Sequence, residues 1–237
     1  MARGTPEVRI GERAVVVETL DADLETEVRR VALRGRQFSI AIPGGSVATI
    51  CFPRLSELAL DWSAIEFFWV DERAVPPEGP DSNYAAARAL WLAPAGVPVE
   101  RIHRMRGEVA DLDRAALDYA DELARIAGTP PCLDYVLLGV GPDGHVASLF
   151  PGAPALLDER PVLAIEDAPK PPPRRLSLSL PVLTSARRVV IVALGKEKAG
   201  AIREALEDVA SPQPVARVAR AAGRVAFLLD RAAASRL

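Results

Sequence analysis

Short apolar runs alternating with longer stretches at helical spacing constrain this chain more than any other feature. Residues 38–42, 65–70 (IEFFWV), 135–140 (YVLLGV), 189–194 and 225–229 are almost wholly apolar, and 14–17 offers a first such run. Residues 175–180 (RLSLSL) alternate instead, as a half-buried strand does. Helical periodicity fills 20–33, 47–60, 84–92, 112–126 and 196–206. Ser82 or Asn83 and Asp111 or Asp113 stand where N-caps are needed, and Gly128 with Pro130 forms a stop. A strand that is apolar on both faces must be covered on both, and a helix after each strand does this. The expected fold class is therefore α/β, a mostly parallel sheet between helical layers. The segment 151–173 is proline-rich and is read as a long surface loop.

A length of 237 residues suits a single domain over 1–237 with a core that needs no staples. Cys51 and Cys132 lie far apart in apolar surroundings and are read as buried, reduced thiols of a cytoplasmic protein. The net charge of -3 argues against a nucleic-acid surface. No stretch approaches the ~18 apolar residues of a membrane span, and the first residues lack the pattern of a signal peptide. Two separated histidines and two separated cysteines supply no metal ligand set, so no metal is expected. Of the 29 basic residues only Lys170, Lys196 and Lys198 are lysines, a bias that reads as genome composition.

Ligands of parallel sheets bind beyond the carboxyl ends of the strands. Four polar tips are therefore expected to meet in one crevice: Gly44-Gly45-Ser46, Asp71-Glu72-Arg73, Asp143-Gly144-His145 and Gly195-Lys196-Glu197-Lys198. Glycine N–H groups and a helix N-terminus at the first tip favour an anion, the alternative being a plain turn with Ser46 as N-cap. Arg73 has the planar fork that suits a phosphate or carboxylate, with surface salt-bridging as the plainer use of its triplet. The run from Gly139 to Gly144 fits G-x-G-x-x-G, but Asp143 would bring negative charge to a pyrophosphate and Pro142 removes a donor. The dinucleotide reading is set aside. The loop instead aims His145, with Asp143 beside it, the alternative being a histidine that only ties the loop down. An imidazole with an ordinary pKa of ~6.5 takes a proton from water at neutral pH, and a carboxylate holds its tautomer. His103 has no carboxylate adjacent in sequence and is read as structural. Arg175 and Lys198 join Ser46 as an anion clamp.

These residues resemble the 6-phosphogluconolactonase family. The likeness runs through PGGS (43–46), FFWVDERAVP (67–76), DSNYAAARALWL (81–92), LDYVLLGVGPDGHVASLFPG (133–152), KPPPRRLSLSLPVL (170–183), ALGKEKAGAI (193–202) and FLLDRAAA (227–234). It implies a Rossmann-like three-layer sandwich, the fold of glucosamine-6-phosphate deaminase and ribose-5-phosphate isomerase. It also implies hydrolysis of 6-phosphoglucono-δ-lactone to 6-phosphogluconate in the pentose phosphate pathway, without metal or cofactor. By this likeness His145 is the general base with Asp143 beside it. Gly44, Gly45, Ser46, Arg73, Arg175 and Lys198 form the sugar-phosphate set, and Asp71, Ser82 and Asn83 match motif positions. The family's glycine loop begins with Ser and continues Thr-Pro, whereas Pro43, Val47 and Ala48 stand here, which removes one hydroxyl donor at position 47.

A lactone is an activated ester whose hydrolysis needs no covalent nucleophile, and the chain has no G-x-S-x-G elbow. The alternatives are an amino-sugar phosphate deaminase or isomerase of the same fold and a non-catalytic sugar-phosphate-binding protein. In the deaminase a glutamate follows the D-G-H loop shortly, and 146–151 (VASLFP) offers none. A sensor needs an output module, which is not seen before residue 14, and has no need of both His145 and Asp143. The expected partner is a small sugar phosphate lactone, with no nucleic acid and no membrane, in a monomer or weak homo-oligomer.

Overall fold

The computed structural model describes residues 5–237. The first part of the chain forms β1 (Glu7–Gly11), α1 (Arg13–Ala32), β2 (Phe38–Ile42), α2 (Gly45–Leu55), β3 (Ile65–Trp69), β4 (Asp71–Arg73), α3 (Asn83–Ala87) and α4 (Leu112–Ala127). There follow β5 (Tyr135–Gly139), β6 (Val162–Ile165), β7 (Arg175–Leu178), α5 (Leu180–Ser185), β8 (Val189–Ala193), α6 (Ala199–Glu207), α7 (Pro214–Ala221) and β9 (Val225–Asp230).

Six strands make one sheet in the order β1-β9-β8-β5-β2-β3, and every pair is parallel. Strands β2, β3, β8 and β9 are buried at every position, as strands covered on both faces must be. No described helix is long and apolar enough to cross a membrane. Strands β2 and β5 are neighbours, with Ile40 opposite Tyr135. From β2 the chain moves outward to β3, and from β5 it moves the other way to β8. The loops that follow β2 and β5 therefore diverge over one gap, the switch point where open α/β sheets bind ligands.

A second, antiparallel sheet of β4, β7 and β6 stands at this end of the first. Val70 joins the two: its N–H donates to Ile42 and its carbonyl accepts from Leu178. Asp71-Glu72-Arg73 is thus a strand rather than a loop tip, with Asp71 opposite Ser177 and Arg73 opposite Arg175. Its partner β7 is buried along its whole length rather than half-buried. The segment 151–173 is not wholly irregular, because β6 lies within it and pairs with β7.

The N-terminal assignment also changes. The apolar run 14–17 begins α1, where Val16, Val17, Leu20, Leu24, Val28 and Val31 form the buried stripe. The strand lies earlier, in the edge segment Glu7–Gly11, whose exposed and mixed composition hides it from a search for apolar runs. Cys51 is buried, and burial pushes its thiol up to about 12, whereas Cys132 is only half-buried.

His103 ties this scaffold together. Its Nε2 lies 2.8 Å from Glu66 of β3 and its Nδ1 lies 2.7 Å from Glu122 of α4, while the ring stacks on Phe68 at 4.7 Å. Carboxylates on both nitrogens require a proton on each, so the ring is an imidazolium. Burial opposes the charge, but the two carboxylates outweigh it and raise the pKa. A raised value means that this stabilisation is complete below the unfolded value of ~6.5 and fades as pH climbs through the folded one. We expect His103→Gln to cost about 2 kcal/mol at pH 6. Urea unfolding across pH should show the gap from wild type narrowing as pH rises.

Candidate active site

At the switch point lies a crevice of about 240 Å³. The loop after β2 lines it with Gly44, Gly45 and Ser46, β4 contributes Asp71 and Arg73, and the start of α3 contributes Asn83. The loop after β5 brings His145, β7 brings Arg175, and the turn after β8 brings Lys198. Strands distant in sequence thus deliver the expected residues to one place. Asp143 is hydrogen-bonded to His145 without lining the crevice itself, and Ser82 is a second exception. It does not line the crevice; its hydroxyl caps α3 by accepting from the Ala85 N–H and donates to Glu72.

Two turns fold the β5 loop back on itself: Gly141 N–H donates to the His145 carbonyl and Gly144 N–H to the Gly141 carbonyl, each at 2.9 Å. The imidazole lies so close over Gly141 that any Cβ there would overlap it. No helix follows this loop, unlike a dinucleotide fingerprint. The ring stacks on buried Phe150 at 4.6 Å. His145 Nδ1 sits 2.6 Å from Asp143 Oδ1. That distance requires the proton on Nδ1, since two lone pairs would repel, and leaves Nε2 as the basic nitrogen with no protein partner among the described residues.

Burial lowers the pKa of His145, with Asp143 opposing and Lys170 assisting. For Asp143, burial works against ionisation, but the hydrogen bond and charge of His145, with Lys170, hold its carboxyl at about 2. At neutral pH the pair is therefore a neutral imidazole on an ionised carboxylate.

The second sheet supplies the opposite wall. Asp71 accepts from the Ser148 hydroxyl at 2.6 Å and from Asn83 Nδ2 at 3.3 Å, and Arg175 Nη1 stands 4.0 Å away. Buried Glu72 accepts from the N–H groups of Arg73, Asn83 and Tyr84, fastening the start of α3 to β4 and setting Asn83 against Gly44. Burial pushes the Glu72 carboxyl up, with those N–H groups opposing.

Arg73 and Arg175 face each other across β4 and β7, a like-charge pairing that is unfavourable by itself. Lys198 stands 3.8 Å from Glu197 and has no hydrogen-bond partner among the described residues; burial lowers its pKa, with Glu197 and Asp143 opposing and Lys170 assisting. Cations thus crowd a lining whose one carboxylate is Asp71, and an anion relieves that crowding. The first turn of α2 adds N–H groups that no side chain caps. Gly45 enters that turn at φ 62°, so Ser46 lies inside the helix and is not its N-cap. Val47, where the family pattern has a hydroxyl, is buried.

Sequence reasoning missed Lys170, Phe150 and Ser148. Lys170 lines the crevice, and its Nζ donates to Asp143 Oδ1 at 3.1 Å. Its signal was available: it is one of three lysines and opens the segment KPPPRRLSLSLPVL.

The family model for glucosamine-6-phosphate isomerases/6-phosphogluconolactonase matches residues 11–227. The 6-phosphogluconolactonase of Streptomyces coelicolor is 42% identical over 76% of this chain and 72% of its own length. That of Synechocystis sp. is 36% identical over 95% and 93%. The solved structure of 6-phosphogluconolactonase from Trypanosoma brucei superposes with a TM-score of 0.86 at 30% identity, covering 98% of each chain.

The two lysines of one tip separate a local anion site from general surface charge, because Lys196 is exposed and does not line the crevice. Inorganic phosphate binding, read by calorimetry, should weaken about tenfold or more in Lys198→Ala and less than about twofold in Lys196→Ala. Equal losses would remove Lys198 from the site.

Proposed function

This chain belongs to the family of glucosamine-6-phosphate isomerases and 6-phosphogluconolactonases, and we propose that it is a cytoplasmic 6-phosphogluconolactonase. The reaction is hydrolysis of 6-phospho-D-glucono-1,5-lactone to 6-phospho-D-gluconate, the second step of the oxidative pentose phosphate pathway. One observation carries this reading. A neutral imidazole, oriented by Asp143 and without a partner at Nε2 among the described residues, shares its crevice with cations that outnumber the carboxylates.

The phosphate of the substrate is held by Lys198, Arg73 and the first turn of α2, with Gly44, Gly45 and Ser46 against it. This remote grip places C1 of the lactone near His145 and converts binding energy into orientation. Water gives a proton to Nε2 as its oxygen bonds to C1, and the carbonyl oxygen becomes an oxyanion. Asp143 stabilises the imidazolium that forms. The tetrahedral intermediate collapses by breaking the bond from C1 to the ring oxygen, and Nε2 returns its proton to that departing alkoxide. The acid product then ionises to the carboxylate.

Ring-opening chemistry of the deaminase type has less support. Residues 146–150 present Val146, Ala147, Ser148, Leu149 and Phe150 after His145, with no carboxylate among them. Asp71, the one carboxylate of the lining, is already bound by Ser148 and Asn83.

His145→Ala should lose at least about a hundredfold in lactone hydrolysis above the spontaneous background while still binding 6-phosphogluconate. A rate near wild type would exclude His145 as the base. Wild type should turn over the unphosphorylated lactone far more slowly, and equal kcat/KM on both lactones would refute the phosphate clamp. The base must be unprotonated, so kcat/KM falls as pH drops through the His145 pKa. Burial lowers that value, which places the acid limb below ~6.5.

A further inference from the structure

Lys170 approaches His145 from the side opposite its basic nitrogen. Its Nζ is 3.2 Å from Nδ1 and 3.1 Å from Asp143 Oδ1, so one carboxylate oxygen receives both the ammonium and the imidazole N–H. The same ammonium stands 5.9 Å from the centre of the Phe150 ring on which His145 stacks.

Arg175 places it there. Its Nε donates to the Pro172 carbonyl at 2.8 Å, and its Nη2 donates to the carbonyls of Lys170 at 2.8 Å and Pro171 at 3.3 Å. The residue is 4% exposed, and two of its three nitrogens are committed to backbone. A bidentate grip on phosphate through those nitrogens is therefore closed to it. Arg175 instead clamps three consecutive residues against the crevice, the first of which is Lys170.

We propose that Lys170 is a positioning residue for His145, carried to it by the Arg175 clamp, where its ammonium anchors Asp143 against Nδ1 and disfavours a second proton on the ring. A unit positive charge in contact with the imidazole raises the cost of the imidazolium. The other charges around His145 are Asp143 and Asp71, which favour the imidazolium, Arg175, which lies 5.7 Å from the centre of the Phe150 ring, and Arg73 and Lys198 in the same crevice lining. Among these cations Lys170 is the one hydrogen-bonded to Asp143 and in contact with the ring. In lactone hydrolysis this keeps Nε2 unprotonated at mildly acidic pH. It also makes the imidazolium a readier donor to the alkoxide once water has been deprotonated.

The scarcity of histidine makes this directly measurable, since ring-labelled protein carries only His103 and His145. In Lys170→Met the NMR titration midpoint of His145 should move to higher pH while that of His103 stays in place, and Lys170→Arg should restore the wild-type midpoint. The side chain of Lys170 is 42% exposed, so these changes are made at the rim of the fold. A second arm rests on the proposed lactone hydrolysis. The acid limb of kcat/KM should follow the midpoint upward, with kcat at pH 7 falling about tenfold and KM changing less than about twofold. An unmoved His145 midpoint with a raised KM would make Lys170 a substrate ligand and overturn the proposal. If wild type does not hydrolyse the lactone, the functional reading falls and the titration alone decides the role of Lys170.

Discussion

Strands β2 and β5 lie side by side, yet the chain leaves them in opposite directions, and the crevice exists because of that divergence. Buried parallel strands cannot present function along their length, since both faces are occupied by core. Only their ends are free, and only where successive connections part does a gap remain between the loops. Everything placed in the crevice hangs from this arrangement. Glycine-rich backbone follows β2, the histidine loop follows β5, Lys198 follows β8, and Val70 joins β3 to the small sheet that carries Asp71, Arg73 and Arg175.

The two histidines show how environment divides one side chain between two tasks. His103 has a carboxylate on each nitrogen and is held charged, a fastening between β3 and α4. His145 has a carboxylate on Nδ1 alone and lysine beside it, and burial disfavours its charge. The first can do no proton transfer without breaking the scaffold. The second is neutral and oriented, with a basic nitrogen that has no protein partner among the described residues, the condition in which an imidazole accepts a proton from water.

Most of the sheet was legible because burial on both faces writes itself as unbroken apolar runs, as in IEFFWV and YVLLGV. The elements misread are those lacking that signature. β1 is an exposed edge strand, and β4 spells Asp-Glu-Arg because its residues serve the crevice and the N-terminus of α3. β6 is a four-residue strand in a proline-rich stretch. Site residues on strand tips were found because a charge after an apolar run stands out. Lys170 stood out only as one of three lysines; its place at the crevice is set by three carbonyl contacts to Arg175, which no local pattern encodes. Ser82, expected both as a candidate N-cap and as a motif position, caps α3.

The division of the crevice between a phosphate end and a histidine end fixes how a ligand must lie in it. A crystal structure with 6-phosphogluconate bound would test it in one measurement. The phosphate should lie at Lys198, Arg73 and the first turn of α2, with the C1 carboxylate within ~3 Å of His145 Nε2. The reverse orientation, with phosphate on His145 and C1 remote from it, would contradict it.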